Sequence, residues 1–153
     1  MVADENSAMH ETINETLVRV FNQILRIEEN RLKTFGSDLS VKEAHVIEAA
    51  AHPGGDNTLS AMAARLGVTA GSMTVAVNTL EKKGYLARVK SSEDRRRIHI
   101  ILTPKAEKVN QLHQDFHREM TRAVANVLPE DQLKVLVRAL EAVNAYFLNE
   151  KGS

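Results

Sequence analysis

The chain has 153 residues, 20 Lys plus Arg balanced by 20 Asp plus Glu, 43% hydrophobic content and no Cys. That length can bury one substantial core, and the lack of cysteine excludes a disulfide framework. No run of about 20 apolar residues could span a bilayer, and acids precede the first apolar pattern, unlike a secretory leader, so a soluble cytoplasmic protein is expected.

In chain order, Ile13, Leu17, Val20, Phe21, Ile24, Leu25, Leu32 and Phe35 form an apolar stripe that predicts a helix from about residue 9 to 35, ended by Gly36. Ser40 and Glu43 make a capping-box pattern that opens a second helix through about Ala51, and Pro53-Gly54-Gly55 breaks it. Thr58 is the N-cap of a third, with Leu59, Met62, Ala63 and Leu66 at amphipathic spacing. Gly67 suits a left-handed corner, Ala63 lets two helices approach, and Thr69 caps the next helix.

On that fourth helix Ala70, Met73, Ala76, Val77 and Leu80 share the side that must pack. The opposite side carries Gly71, Val75, Asn78 and Lys82, flanked by Ser72, Thr74 and Thr79. A face built only for solubility would normally carry Glu, Lys and Gln, whereas these small and hydroxyl-bearing groups suit close approach to a DNA major groove. Asn78 can pair with an adenine edge and Val75 can touch a thymine methyl. An ordinary solvated helix of low charge is the alternative.

After Gly84, Tyr85 to Lys90 alternates apolar and basic residues as a strand, with Ile98 to Leu102 as its partner and a polar tip, Ser91 to Arg97, between them. Residues 82–97 hold seven basic side chains and two acidic ones, within a neutral chain whose first 50 residues carry nine acids and five bases. Such local concentration is what a phosphate-facing surface requires. Thr103-Pro104 then starts a long helix with Val109, Leu112, Phe116, Met120, Val124 and Val127 on one face, and Pro129 opens a last one through Leu133, Leu136, Val137, Leu140, Val143, Tyr146 and Phe147.

Together these elements predict a mainly α chain with a small β-wing: a winged helix-turn-helix over residues 37–103, with the helices of residues 1–36 and 104–153 forming a dimerisation region. A two-fold pair presents two recognition helices to half-sites about 34–36 Å apart and calls for a pseudo-palindromic operator in double-stranded DNA. Simple intrachain core is the alternative for part of each terminal stripe.

Gly84-Tyr85-Leu86 after Leu80-Glu81-Lys82-Lys83, then Asp94-Arg95-Arg96 and Leu102-Thr103, resembles the signature of the multiple-antibiotic-resistance regulator (MarR) family of bacterial transcription factors. In that family the Asp-x-Arg wing pattern, here Asp94 and Arg96, sends an arginine into the minor groove and uses the aspartate to orient basic side chains. The resemblance thus implies Arg96 as the minor-groove contact and Arg95 and Arg97 as phosphate partners. The expected DNA-binding set is Thr69, Gly71, Ser72, Thr74, Val75, Asn78, Lys82, Arg88, Asp94, Arg95, Arg96 and Arg97.

Phe21 to Glu29, Lys42-Glu43-Ala44-His45 and Leu112-His113-x-x-Phe116-His117-x-x-Met120 are similar to the fatty-acid-synthesis repressor (FabT-like) branch of that family. The likeness implies repression of membrane fatty-acid synthesis genes, with a long-chain acyl group on acyl carrier protein as corepressor. Ile24, Ile27, Val109, His113, Phe116, His117 and Met120 are then candidate ligand-lining residues, although core packing accounts for the apolar ones equally well. A ligand where the dimer helices meet each lobe would act by shifting the lobe separation.

The i, i+4 pair His113 and His117, with His45, leaves metal sensing as an alternative, since some MarR relatives sense zinc with histidines from these two helices. Against it stand the lack of Cys and the place of His113 in an apolar stripe, where a structural histidine is the plainer account. No cofactor is expected. No His-Glu-x-x-His, Gly-x-Ser-x-Gly or phosphate-binding Gly pattern is present, so catalysis is not expected. A helical protein-interaction module is the rival of another class, because winged helices also dock proteins.

Overall fold

A computed structural model describes residues 2–53, 55–91 and 97–150, with side chains from Asn6 onward. Its elements are α1 (Val2–Thr34), α2 (Val41–Ala50), α3 (Leu59–Leu66), α4 (Ala70–Lys82), β1 (Leu86–Lys90), β2 (Ile98–Leu102), α5 (Pro104–Ala125) and α6 (Glu130–Glu150). Helix α1 starts well before residue 9, where the apolar stripe begins, because a helix can run on into polar sequence beyond its apolar face. The chain forms two compact units, one through His113 and one from Gln114, so packing divides it within α5.

The first unit holds a single core of Leu32 from α1, Ile47 and its neighbours from α2, Met62 and Ala63 from α3, Met73, Val77 and Leu80 from α4, Tyr85, Leu86, Ile100, Ala106 and Val109. The caps follow the sequence. Ser40 and Glu43 form the full capping box, Thr58 accepts the Ala61 N–H, and Gly67 closes α3 at φ 61°, where a β-carbon would be strained. The two strands pair antiparallel, Leu86 opposite Leu102 through Lys90 opposite Ile98. The Ile100 N–H donates to Asn57 O at 2.9 Å, which fastens the segment before α3 to β2. Tyr85 stands outside the strand that sequence pattern assigns it to, because its N–H is taken by Leu80 O at 2.8 Å in closing the end of α4.

In the second unit α5 ends as Asn126 N–H returns to Arg122 O, and α6 follows with Leu133 N–H bonded to Pro129 O. None of the residues of α6 is buried in the protomer, and Val137, Leu140, Tyr146 and Phe147 are exposed. In α1, Ile13, Leu17, Val20 and Phe21 are likewise exposed, whereas Ile24 and Leu25 are half-buried and Leu32 is buried. No described helix is long and apolar enough to cross a membrane.

Candidate nucleic-acid interface

Helix α4 separates its two faces as its sequence demands. Met73, Val77 and Leu80 are buried, while Gly71, Ser72, Asn78 and Lys82 are exposed and Val75 is 66% exposed. Ala76 is half-buried, but Ala70 is exposed, since the first turn of α4 extends beyond the core. At its start Thr69 accepts the Ser72 N–H at 3.1 Å and donates to Ser72 Oγ at 2.9 Å. The Thr74 and Thr79 hydroxyls donate back to Ala70 O (2.8 Å) and Val75 O (3.0 Å), so their protons serve the helix and their oxygens remain acceptors.

The cations counted as one basic patch have separate tasks. Lys83 Nζ sits 2.9 Å from Glu43 Oε1 and also donates to Asp38 O, which draws it onto the scaffold. Glu43 raises the Lys83 ammonium above its ordinary value. Arg97 Nη2 donates to Asp56 Oδ2 at 2.7 Å. The Thr58 N–H, foremost, holds the Asp56 carboxyl below the usual range, with burial opposing and Arg97 assisting. Arg88 pairs with Glu81, and its Nη2 donates to Asn78 Oδ1 at 2.9 Å. Lys82 and Lys90 are exposed. Asp94, Arg95 and Arg96 lie outside the described residues.

Sequence reasoning missed the acids that partner these cations, Asp38, Glu43, Asp56 and Glu81. All four lie outside residues 82–97, and no spacing rule connects residues that meet only across a tertiary contact. It also missed Glu28. This residue is 3% exposed, with His45 Nε2 3.6 Å from its Oε2 and His113 Nδ1 3.6 Å from its Oε1. Glu48 Oε2 lies 3.2 Å from His113 Nε2, and the two imidazole rings are 5.2 Å apart. Glu28 falls four residues after Ile24 and four before Leu32, so its place on the apolar face was a readable signal.

The ligand-lining candidates are spread over several environments. Ile27 borders an open groove of about 450 Å³ with Asn30, Arg31, Thr34, Phe35 and Leu112. Ile24 is half-buried, and Val109 is 1% exposed within the core rather than on that groove. Phe116, His117 and Met120 belong to the second unit, where the Phe116 and His117 rings stand 5.3 Å apart.

Comparison with known proteins agrees with this architecture. A MarR family model matches residues 37–97. The HTH-type transcriptional regulators YfiV and YcgE of Bacillus subtilis are each 32% identical, over 90 and 106 residues, or 54% and 69% of this chain. The matches span 56% and 64% of those two curated relatives' own length. Streptococcus pneumoniae FabT, solved in complex with DNA, is 36% identical with a TM-score of 0.76, over 92% of this chain and 98% of that one.

Proposed function

This chain belongs to the MarR family of DNA-binding transcription regulators, and from that premise we propose that it acts as a homodimeric repressor of fatty-acid synthesis genes, with a long-chain acyl group on acyl carrier protein as corepressor. Its family relatives are transcription regulators rather than enzymes. The observation that carries the DNA reading is the outward face of α4. Val75 and Asn78 stand exposed beside a basic hairpin, on the helix that follows the Gly67 corner.

Pairing is supported by the terminal helices. A 21-residue α6 without a buried residue, and α1 with Ile13, Leu17 and Phe21 in the open, need an apolar partner, and a second copy supplies one. Two copies carry two α4 helices to successive major grooves, and Arg96 is the proposed minor-groove contact of each wing. The groove beside Ile27, Phe35 and Leu112 is apolar on its walls, has Arg31 at its edge and is in the size range of ligand sites. The apolar walls suit an acyl chain.

The test is fluorescence anisotropy with duplexes from fatty-acid synthesis promoters, with and without long-chain acyl-acyl carrier protein. Tighter binding with the acylated carrier and none with the bare carrier is the expected result; equal binding in both would remove the corepressor.

The Glu28 cluster favours a second reading of the effector. Two histidines and a carboxylate are a donor set for a divalent cation of the zinc type, here Glu28, His45 and His113. Zinc titration followed by native mass spectrometry distinguishes the two: stoichiometric zinc, with DNA affinity lost on chelation, would replace the acyl reading.

A further inference from the structure

We propose that Arg88 is a positioning residue that sets which base Asn78 selects, rather than a phosphate contact. The proposal rests on the DNA-reading role of α4. Arg88 lies on β1, half-buried, and its guanidinium forks between two residues one helical turn apart on α4, reaching Glu81 with Nη1 and Asn78 Oδ1 with Nη2 at 2.9 Å. Guanidinium has only donors, so the Asn78 atom facing it is the amide oxygen, and the amide nitrogen is the end left for another partner. The Glu81 carboxylate neutralises the guanidinium and fixes its plane.

A free asparagine reads adenine by accepting from N6 and donating to N7 at once. The Arg88 contact leaves the amide oxygen a second lone pair but turns it toward β1, so that Asn78 leads with its N–H donors. Donors match guanine, whose O6 and N7 are adjacent acceptors, and thymine O4; they meet the amino groups of adenine and cytosine unfavourably. Asn78 in this protein therefore selects a keto-bearing base. This replaces the adenine pairing that the sequence alone suggests. The same contact ties the wing strand to the recognition helix, so the hairpin influences major-groove readout without touching a base.

The experiment is competitive binding to an operator library with each base pair randomised in turn, read by sequencing, for wild type, Asn78→Ala, Arg88→Ala and the double variant. The base pair whose discrimination falls in Asn78→Ala identifies the position. Wild type is expected to prefer guanine or thymine there by about tenfold. Arg88→Ala is expected to shift that preference toward adenine with an unchanged salt slope, and to have no further effect on preference in the Asn78→Ala background. Arg88→Ala that weakens all sequences alike, flattens the salt slope by about one and keeps the preference would make Arg88 a phosphate contact and overturn the proposal.

Wild-type protein on an operator bearing 7-deazaguanine or adenine at that position needs no variant. Tightest binding to adenine would overturn the proposal even if Arg88→Ala failed to fold. Absence of any wild-type binding to duplex DNA would instead remove the DNA reading itself, and the two failures are distinguishable.

Discussion

Lys83 Nζ lies 2.9 Å from Glu43 Oε1, which joins the C-cap of α4 to the capping box of α2 forty residues earlier. Burial alone would raise the Glu43 carboxyl, but the Ser40 N–H and Lys83 outweigh it and hold it below its ordinary value. Hydrogen bonding to Glu43 raises Lys83. A depressed carboxylate stabilises the fold above its unfolded value of about 4.3 and loses that contribution as pH falls through the folded value. A raised ammonium stabilises below about 10.4 and loses its contribution as pH rises through the folded value. Glu43→Gln should therefore be about 1 kcal/mol less stable than wild type near neutral pH, with the gap closing in acid below about pH 4. Urea unfolding across pH measures this, and a pH-independent gap would contradict it.

Tyr85 is 1% exposed, and its hydroxyl donates to Asp38 Oδ1 at 2.7 Å while the Lys105 ammonium sits 3.9 Å from its ring centroid. This phenol is the main cause that holds the Asp38 carboxyl below its usual range. Tyr85→Phe keeps the ring and removes the hydrogen bond, so a loss of about 0.5–1.5 kcal/mol is expected. Titration of Asp38 by NMR should show its pKa rise toward the ordinary aspartate value; an unmoved pKa would break the link between the two residues.

Gly71 has room for a side chain within the protomer, where an added β-carbon would meet only Thr69 Oγ1 at 3.9 Å. In a helix, Gly→Ala should stabilise by about 0.5–1 kcal/mol. On the proposed DNA-facing side of α4, the same methyl would stand between the helix and an approaching duplex. Gly71→Ala is expected to melt higher and bind DNA more weakly, and a variant improved in both respects would place Gly71 away from the duplex.

Asp56 holds Arg97 at the base of the wing and is itself exposed. Asp56→Asn retains an acceptor for the Thr58 N–H and removes a negative charge beside the hairpin. Binding to any duplex at low salt should tighten about two- to tenfold, with the advantage fading as salt rises. Tightening confined to a single operator sequence would point to base readout instead.

Much of this site is local, and for that reason legible in sequence. Thr58, Thr69 and Ser40 cap helices through neighbours three residues away, Gly67 turns a corner by its own backbone, and the two faces of α4 follow from helical period. Tertiary neighbours were not legible. The charge count over residues 82–97 sees a cationic patch, but Glu43 and Asp56 arrive from other elements and engage Lys83 and Arg97. For the same reason the contact of Arg88 on β1 with the Asn78 oxygen was not legible. Glu28 was legible in principle, as an acid at an apolar-face position, but its histidine partners come from α2 and α5.

The most direct test of the central claim, that the exposed face of α4 reads duplex DNA, is the dissociation constant of wild type and Asn78→Ala for a preferred operator and a scrambled duplex at several salt concentrations. Wild-type affinity should fall steeply with salt on both duplexes, and Asn78→Ala should lose about 1–3 kcal/mol on the operator and almost nothing on the scrambled sequence. Equal small losses on both duplexes, or an affinity indifferent to salt, would contradict the claim.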